Sequence, residues 1–308
     1  MKTLKETNLQ LEMIGRGKVR DIYKANDVLV HVTTDRISAF DQVLPQQIPG
    51  KGQGLNASSE YTFLNTQDIV PNHYLFMPHP NVMVVERCEP YPVEIVIRGT
   101  LSGSAWRAYQ KGKRTFFDTT LPNGLRQNED LVALLGGPIH TPSSKAERGQ
   151  HDEDLTPEEL YALIGECTWH QMQETGTRLF TRANEYTACQ RYREADTKYE
   201  FGSRNGQLVL IDEGNTHDSS RFFKKDEYRA QFEAGKDLDW IDKEFVRNYL
   251  KSIGFMGDGP IPDLPQEIID GASQRVIESV YALTGERMTP IEPDEEEIME
   301  ALRQQGVI

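Results

Sequence analysis

Cysteine is scarce in this chain of 308 residues. Cys88, Cys167 and Cys189 are widely spaced, odd in number and form no CxxC, which argues against a disulfide framework or a thiolate zinc site and for a reducing compartment. Long apolar runs are missing too. No stretch approaches the ~18 residues of a spanning helix, and the opening MKTLKETNLQ has no apolar signal core. Neither secretion nor membrane insertion is expected, and the expected location is the cytoplasm. Positive charge is in deficit, with 34 Lys and Arg against 48 Asp and Glu and a net charge of −14. Such a chain lacks the basic footprint of a nucleic-acid binder, and a site for anionic substrates must gather Arg and Lys locally. Internal repeats and low-complexity linkers are also missing, as are a GxxxxGK[ST] phosphate loop, an HRD-x-x-x-x-N loop and a DFG.

What is present is a soluble, globular composition, 37% apolar and 27% charged, long enough for two lobes. β signals dominate the first part: Asp21 to Lys24, Val28 to Thr33, Met83 to Glu86 and Val93 to Ile97 alternate or are β-branched. IPGKGQG, Ile48 to Gly54, punctuates them, and Pro78 to Pro92 has the Pro flanks of a crossing between lobes. Helical periodicity follows. Leu155 to Tyr186 begins with Thr156 as cap, Pro157 at the first turn and Glu159 completing a capping box. Phe245, Tyr249, Leu250 and Ile253 mark a second helix, and Ile268, Ile269, Val276, Ile277 and Val280 a third. Asp294 caps a last one ahead of Glu295 to Glu297. Strands first and helices later, with one hairpin between helices, predict an α+β fold of two lobes. The expected lobes are residues 1–90, β-rich, and 91–308, the larger.

The embedded hairpin is ADTKYEFGSRNGQLVLIDEG, Ala195 to Gly214. With Arg204, Asn205 and Gly206 as a three-residue turn, Lys198 pairs with Asp212, and Asp196, Lys198, Glu200 and Asp212 share one face; a two-residue turn puts Glu200 and Asp212 on opposite faces. Either the face is solvated and carries an ion pair, or these are buried carboxylates. LVLID is apolar on both faces, which favours burial, and buried carboxylates need cations. Mg²⁺, which takes one or two carboxylates plus substrate oxygens, suits them.

Four further stretches fit anions. GRGKVRDIY, Gly15 to Tyr23, combines Gly15 and Gly17 with alternating Lys18 and Arg20; a tight β-turn explains it as well as a phosphate loop does. VEIVIRGTLSGSAW ends a strand at Arg98 before a Ser104-bearing turn, an anion seat or a solvated strand end. The loop His140 to Leu160 carries Ser143, Lys145, Arg148, His151 and Asp152. EGNTHDSSRFF returns Arg221 to the neighbourhood of Asp212.

In order, GKVRDIY, TDRISAFD (Thr34 to Asp41), the IP-x-KG turn, EIVIRGTLSGSAW, TPSSKAERGQHDEDL, ADTKYEFG and DEGNTHDSSRF resemble the phosphoribosylaminoimidazole-succinocarboxamide synthases, the SAICAR synthetases, over nearly the whole chain. DKEFVRNYL, Asp242 to Leu250, resembles the longer members. The resemblance implies a ligase of purine biosynthesis that joins L-aspartate to 5-aminoimidazole-4-carboxylate ribonucleotide using ATP, and an ATP-binding architecture similar to that of protein kinases. It implies Mg²⁺ on Glu200 and Asp212, and ATP on Gly15, Gly17, Lys18 and Arg20, with backbone contacts from Val85, Glu86 and Cys88 to adenine. It implies the ribonucleotide phosphate on Arg98, Ser104 and Arg221. Asp196, Lys198 and Asp152 are the expected catalytic group, and Lys145 and Ser143 are candidates for L-aspartate. Small molecules are the expected partners, in a monomer or small homo-oligomer.

The chain departs from the family pattern twice. An apolar strand usually runs into ADTK, where this chain has RYRE with Arg191, Arg193 and Glu194; either that strand is an exposed edge or its packing differs. His217 stands where TPDSSRFW has a proline, so a less rigid turn is expected. Two other readings compete: a kinase-like phosphotransferase of the inositol-polyphosphate type, and a silent ATP-binding regulator. Aspartate-dependent ADP release separates the first, and turnover the second.

Overall fold

Alternating apolar residues in VLVHVT and VMVVE build the first sheet. The computed structural model describes residues 1–40, 42–145 and 153–308. Strands β1 (Glu12–Arg16), β2 (Arg20–Ala25) and β3 (Val28–Thr33) form a meander. A hairpin follows, β4 (Arg36–Ala39) and β5 (Gln42–Gln47), then helix α1 (Lys51–Asn65), β6 (Tyr74–His79) and β7 (Val82–Glu86). The sheet order is β1-β2-β3-β7-β6, antiparallel throughout. IPGKGQG proves to be a helix entry as well as punctuation. Gly50 has φ 76°, and a Cβ on Gly52 would lie 2.3 Å from the Thr33 carbonyl, so glycine lets α1 press on the sheet.

Arg87 and Cys88 lead from β7 straight into β8 (Glu89–Arg98), so Pro78 to Pro92 does carry the chain from one sheet to the other. Short elements follow: β9 (Thr100–Leu101), α2 (Gly103–Gln110), β10 (Thr115–Phe116), β11 (Thr119–Thr120), β12 (Glu129–Asp130) and α3 (Leu131–Leu135). β13 (Ile139–Ser144) precedes α4 (Pro157–Ile164) and α5 (Glu166–Cys189). The expected single helix from Leu155 to Tyr186 is two, because Gly165 at φ 81°, ψ 147° breaks it; the Thr156–Glu159 capping box is present. β14 (Tyr192–Arg204), β15 (Gln207–Ile211) and β16 (Ser220–Lys224) complete the second antiparallel sheet, ordered β13-β8-β14-β15 with β16 also on β14. A parallel bridge between Asn72 and Leu210 stitches the two sheets. The core of this lobe lies between Ile95, Ile97, Tyr199 and Phe201 and the Trp169, Met172 and Phe180 face of α5.

Helices α6 (Lys225–Glu233), α7 (Glu244–Ser252), α8 (Gln266–Thr284) and α9 (Glu295–Gln304) end the chain. α7 and α8 pack on the β4–β5 hairpin through Val246, Leu250 and Val276 against Ile37 and Ile48. α9, capped by Asp294, buries Ile298 and Leu302 against Val30, Val32 and Val84 of the first sheet. A division at residue 90 therefore leaves α9 across the boundary from the core it completes.

The RYRE segment is not an exposed edge. Over Tyr192–Glu194 β14 pairs with β16, a bulge follows between Glu194 and Asp196, and pairing with β8 begins at Asp196. Arg193 pairs with Asp130 through both of its terminal nitrogens. Glu194 is fully buried and accepts from Asn215 Nδ2 at 2.9 and 3.1 Å. Burial pushes its carboxyl up to about 8, against the pull of Asn215, Ser220 and Thr197.

Two outcomes are expected. Ile298→Ala lowers stability by about 2–5 kcal/mol through lost burial and a cavity; an unchanged denaturation midpoint would show that α9 does not complete the core. For Glu194, the folded state holds its proton up to about 8 while the unfolded carboxyl releases it near 4.5. The folded chain thus binds more protons between these values, and stability falls as pH rises through that window. Glu194→Gln should give a flatter stability profile from pH 5 to 8, leaving the share of Asp242, whose carboxyl burial raises to about 7; an unaltered slope would contradict a neutral Glu194.

Candidate functional site

A cleft of roughly 450 Å³ opens over β8, β14 and β16. Strand period two brings its floor together. Asp196 pairs in register with Arg98 of β8 on one side and Arg221 of β16 on the other. Arg98 donates to Asp196 Oδ2 at 3.2 Å, to Thr141 Oγ1 at 2.9 Å and to Ser104 Oγ at 3.2 Å. Arg221 forks onto the same carboxylate, donating from Nε at 2.8 Å and from a terminal nitrogen that also reaches Ser102 Oγ at 2.9 Å. Gly103, at φ 58°, lies flat on the Arg221 guanidinium, where a Cβ would approach to 2.6 Å. Burial would raise the Asp196 carboxyl, but Arg221 and Arg98 hold it below its ordinary value. Two guanidiniums on one buried carboxylate leave a net positive seat at the cleft. Asp196 is the residue that orients them.

Two residues along the same face of β14 stands Lys198. Its ammonium lies 2.5 Å from Glu200 Oε1 and 2.9 Å from Glu94 Oε2. Glu94 is directly opposite Glu200 on β8, a like-charge pair that would repel without the lysine between them. Lys145 pairs with the other Glu200 oxygen, and Ser143 Oγ donates to Glu94 at 3.2 Å. Ser143 and Lys145 thus belong to this carboxylate cluster. Burial would lower the Lys198 ammonium, but Glu200 and Glu94 raise it well above its ordinary value.

Asp212 arrives by an unexpected route. The hairpin turn has two residues, Asn205 and Gly206, both with positive φ, and Glu200 pairs with Ile211. The expected three-residue turn and its Lys198–Asp212 pairing are therefore wrong by one position, and strand alternation alone would send Asp212 to the far face. Instead the strand stops at Ile211 and Asp212 adopts φ 66°, a left-handed conformation that costs a non-glycine residue about 1 kcal/mol or more. Its carboxylate pairs with Arg20 of the first sheet. Burial would raise it, but Arg20, Lys198 and Lys145 hold it well below its ordinary value. Arg20, only 8% exposed, also donates to Glu213 Oε2 at 2.7 Å, so it ties the lobes together across the site.

The remaining expected positions are spread out. Gly15 lies in β1 opposite Ile22, and the turn through Gly17 and Lys18 leads into Arg20 at the head of β2, with the Gly17 amide donating to the Arg20 carbonyl at 2.7 Å. Val85 and Glu86 end β7. The Glu86 amide donates to the His73 carbonyl at 2.7 Å and its carboxylate pairs with Arg204. Cys88 is half-buried at the crossing. Asp152, with Arg148 and His151, lies outside the described residues.

Sequence reasoning missed several groups. Glu94 lies four residues before Arg98 on a strand, hence on the same face, and that period was readable. Lys243, Arg247 and Lys251 line the cleft from α7, with Arg107 from α2; their four-residue spacing marks one helical face. Lys51, the lysine of IP-x-KG, is 1% exposed and bonds Asp218 Oδ2 at 2.7 Å, a pairing no spacing reveals. The turn at His217 is braced, because Thr216 Oγ1 accepts from the Asp218 and Ser219 amides, each at 3.2 Å. His217 itself is buried, which lowers its ring to about 3.

Comparison with known proteins identifies the family. The profile of the family described as SAICAR synthetase matches residues 13–259. The phosphoribosylaminoimidazole-succinocarboxamide synthase of Bacteroides thetaiotaomicron is 43% identical over 295 residues, covering 93% of each chain. That of Geobacter sulfurreducens is 38% identical over 290 residues, covering 89% of this chain and 95% of its own. The solved SAICAR synthase of Saccharomyces cerevisiae, complexed with SAICAR, is 31% identical and superposes with a TM-score of 0.80, covering 93% of this chain and 99% of that one. A profile over most of the chain and relatives matched nearly end to end show that the chain belongs to the SAICAR synthetase family.

Proposed function

We propose that this cleft joins L-aspartate to 5-aminoimidazole-4-carboxylate ribonucleotide with ATP, giving SAICAR, ADP and phosphate. The observation that carries the reading is the run Asp196, Lys198, Glu200 along one strand face, which sets an arginine-built anion seat beside a carboxylate cluster. Arg98, Ser104 and Arg221 take the ribonucleotide phosphate as a bidentate fork does. The complex of the yeast relative with SAICAR supports that substrate class. Residues 1–90 supply the nucleotide side, and residues 91–308 the ribonucleotide and aspartate side.

The glycine turn supports ATP as co-substrate. Gly15 has neither a positive φ nor any atom within 4 Å of a Cβ placed on it. Among the described residues the space beside it is open, at the bulge between β1 and β2, which suits close approach of a phosphate. Lys18 and Arg20 add charge beside it.

The carboxylates also fit a magnesium ion. Among the described residues no three His, Cys, Asp or Glu side chains are gathered into a metal cage, and Mg²⁺ uses one or two carboxylates with substrate oxygens. Glu200 and Asp212, with Glu94 beside Glu200, are the hard oxygen donors that would hold it. Bound there, it supplies neutralisation of phosphate charge.

A carboxylate resists amide formation because oxide will not leave. Moving the γ-phosphoryl group of ATP onto the ribonucleotide's carboxylate breaks the γ-phosphorus–oxygen bond to ADP and makes an acyl phosphate. The aspartate nitrogen then attacks the acyl carbon, and phosphate leaves. The chain's part is positioning and charge compensation. The Arg98–Arg221 seat fixes the ribonucleotide, and Lys198 and Lys145 lie where negative charge gathers. Arg107, Lys243, Arg247 and Lys251 give a dicarboxylate its cations. Asp152, in the HD pair and outside the described residues, is proposed from its motif alone to act near the reacting carboxylate or its metal. No helix of the described residues is long and apolar enough to cross a membrane, and the reading places the enzyme in the cytoplasm with its small-molecule substrates, as a monomer or small homo-oligomer.

Asp212→Asn, which keeps the shape and removes the charge, should cut kcat by about 100-fold or more while circular dichroism shows an intact fold and the melting midpoint falls only through the weakened Arg20 contact, since Arg20 keeps Glu213 as a partner. A folded variant with near-normal ADP release would exclude the metal role of Asp212. Arg221→Lys should raise KM for the ribonucleotide about tenfold or more through loss of the bidentate fork, and an unchanged KM would remove Arg221 from the phosphate seat.

A further inference from the structure

The TDRISAFD segment is so far without a role, although Thr34 and Arg36 both reach the glycine turn. Arg36 is 7% exposed. It donates to the Gly17 carbonyl at 3.1 Å, the Lys18 carbonyl at 3.1 Å and the Lys5 carbonyl at 2.7 Å. Thr34 takes the next carbonyl, Val19, through its amide at 2.9 Å and its hydroxyl at 2.7 Å. Three consecutive carbonyls of the turn, 17, 18 and 19, are thus drawn toward one tripeptide. Behind Arg36 stands Asp21, fully buried. It accepts from Arg36 at 2.9 Å, from Arg16 at 3.0 Å and from the Thr7 amide and hydroxyl at 2.8 and 3.0 Å. A carboxylate with four such donors holds the guanidinium plane, and the plane holds the turn.

We infer that Thr34 and Arg36 are positioning residues for the nucleotide: they preset the backbone of the glycine turn so that phosphates meet an ordered cradle. The inference rests on the reading of that turn as the ATP site. Lysine at position 36 keeps the charge opposite Asp21 but cannot fork onto two carbonyls and a carboxylate at once. A turn left to fluctuate must be ordered at the moment of binding, which weakens the nucleotide and spares the other substrates.

The experiment compares KM for ATP, ribonucleotide and L-aspartate in Arg36→Lys, with hydrogen exchange at the amides of residues 17–20. The expected result is a KM for ATP raised about tenfold, the other two within about twofold, and faster exchange confined to the turn. An unchanged KM for ATP, or three KM values rising together, would overturn the inference and leave Arg36 a structural residue. Should Arg36→Lys not fold, Thr34→Val removes only the hydroxyl on the Val19 carbonyl. It should show the same split, smaller, and a flat response contradicts the clamp. Lys18→Ala separates the two layers: if it raises KM for ATP while Arg36→Lys does not, the clamp alone fails. If Lys18→Ala leaves ATP unaffected, the nucleotide does not use this turn, and the clamp falls with that reading.

Discussion

Negative charge held inside the protein by shared cations is the constraint on which the site depends. Glu94 and Glu200 face each other across two strands with Lys198 between them. Asp196 lies between Arg98 and Arg221, Asp212 and Glu213 share Arg20, and Asp218 meets Lys51. The Asp196 and Asp218 pairs are buried, and removing one partner of such a pair leaves an uncompensated charge that costs about 3–5 kcal/mol, whereas Asp212 is partly exposed and shares Arg20 with Glu213. A chain with net charge −14 therefore presents positive potential in one cleft because its internal carboxylates are already neutralised and surplus guanidiniums and ammoniums face the opening.

The fold supplies this arrangement through one strand. β14 is central in the second sheet, and period two sets Asp196, Lys198 and Glu200 on its cleft face, with Asp196 opposite Arg98 and Glu200 opposite Glu94 on β8. What alternation cannot supply, backbone strain does. Asp212 leaves its strand in a left-handed conformation and so joins a face that its register denies it. The same residue takes a contact from Arg20 that helps fasten the first sheet to the second, alongside the Asn72–Leu210 bridge.

Much of this was legible. The strands around VLVHVT and VMVVE, the Thr156–Glu159 box, the Asp294 cap and the joint presence of Arg98, Arg221, Lys198 and Glu200 follow from local pattern and ordered motifs. Other features were not, for physical reasons. The turn length at Asn205–Gly206 depends on one residue, and Asn-Gly favours two-residue turns, a signal that outweighs the preference for keeping all four charges on one face. Gly165 looked like an interior helix glycine because both flanks keep helical periodicity. RYRE reads as an exposed edge because nothing local announces that Asn215 and Asp130 come from elsewhere to satisfy Glu194 and Arg193. Lys51 carries no sign of burial, since its partner lies 167 residues away.

In the proposed reaction one carboxyl is used twice: its oxygen first takes the phosphoryl group, and the amine nitrogen then displaces phosphate from its carbon. Both proposed steps draw on the same positive surface, with the Arg98–Arg221 seat fixing one end of the ribonucleotide and the lysines the other. The most direct test is steady-state ADP formation in the presence of Mg²⁺, with ATP, the ribonucleotide and L-aspartate each omitted in turn. The account predicts sustained ADP release only when all three are present. ADP formed at the same steady rate without L-aspartate would contradict it.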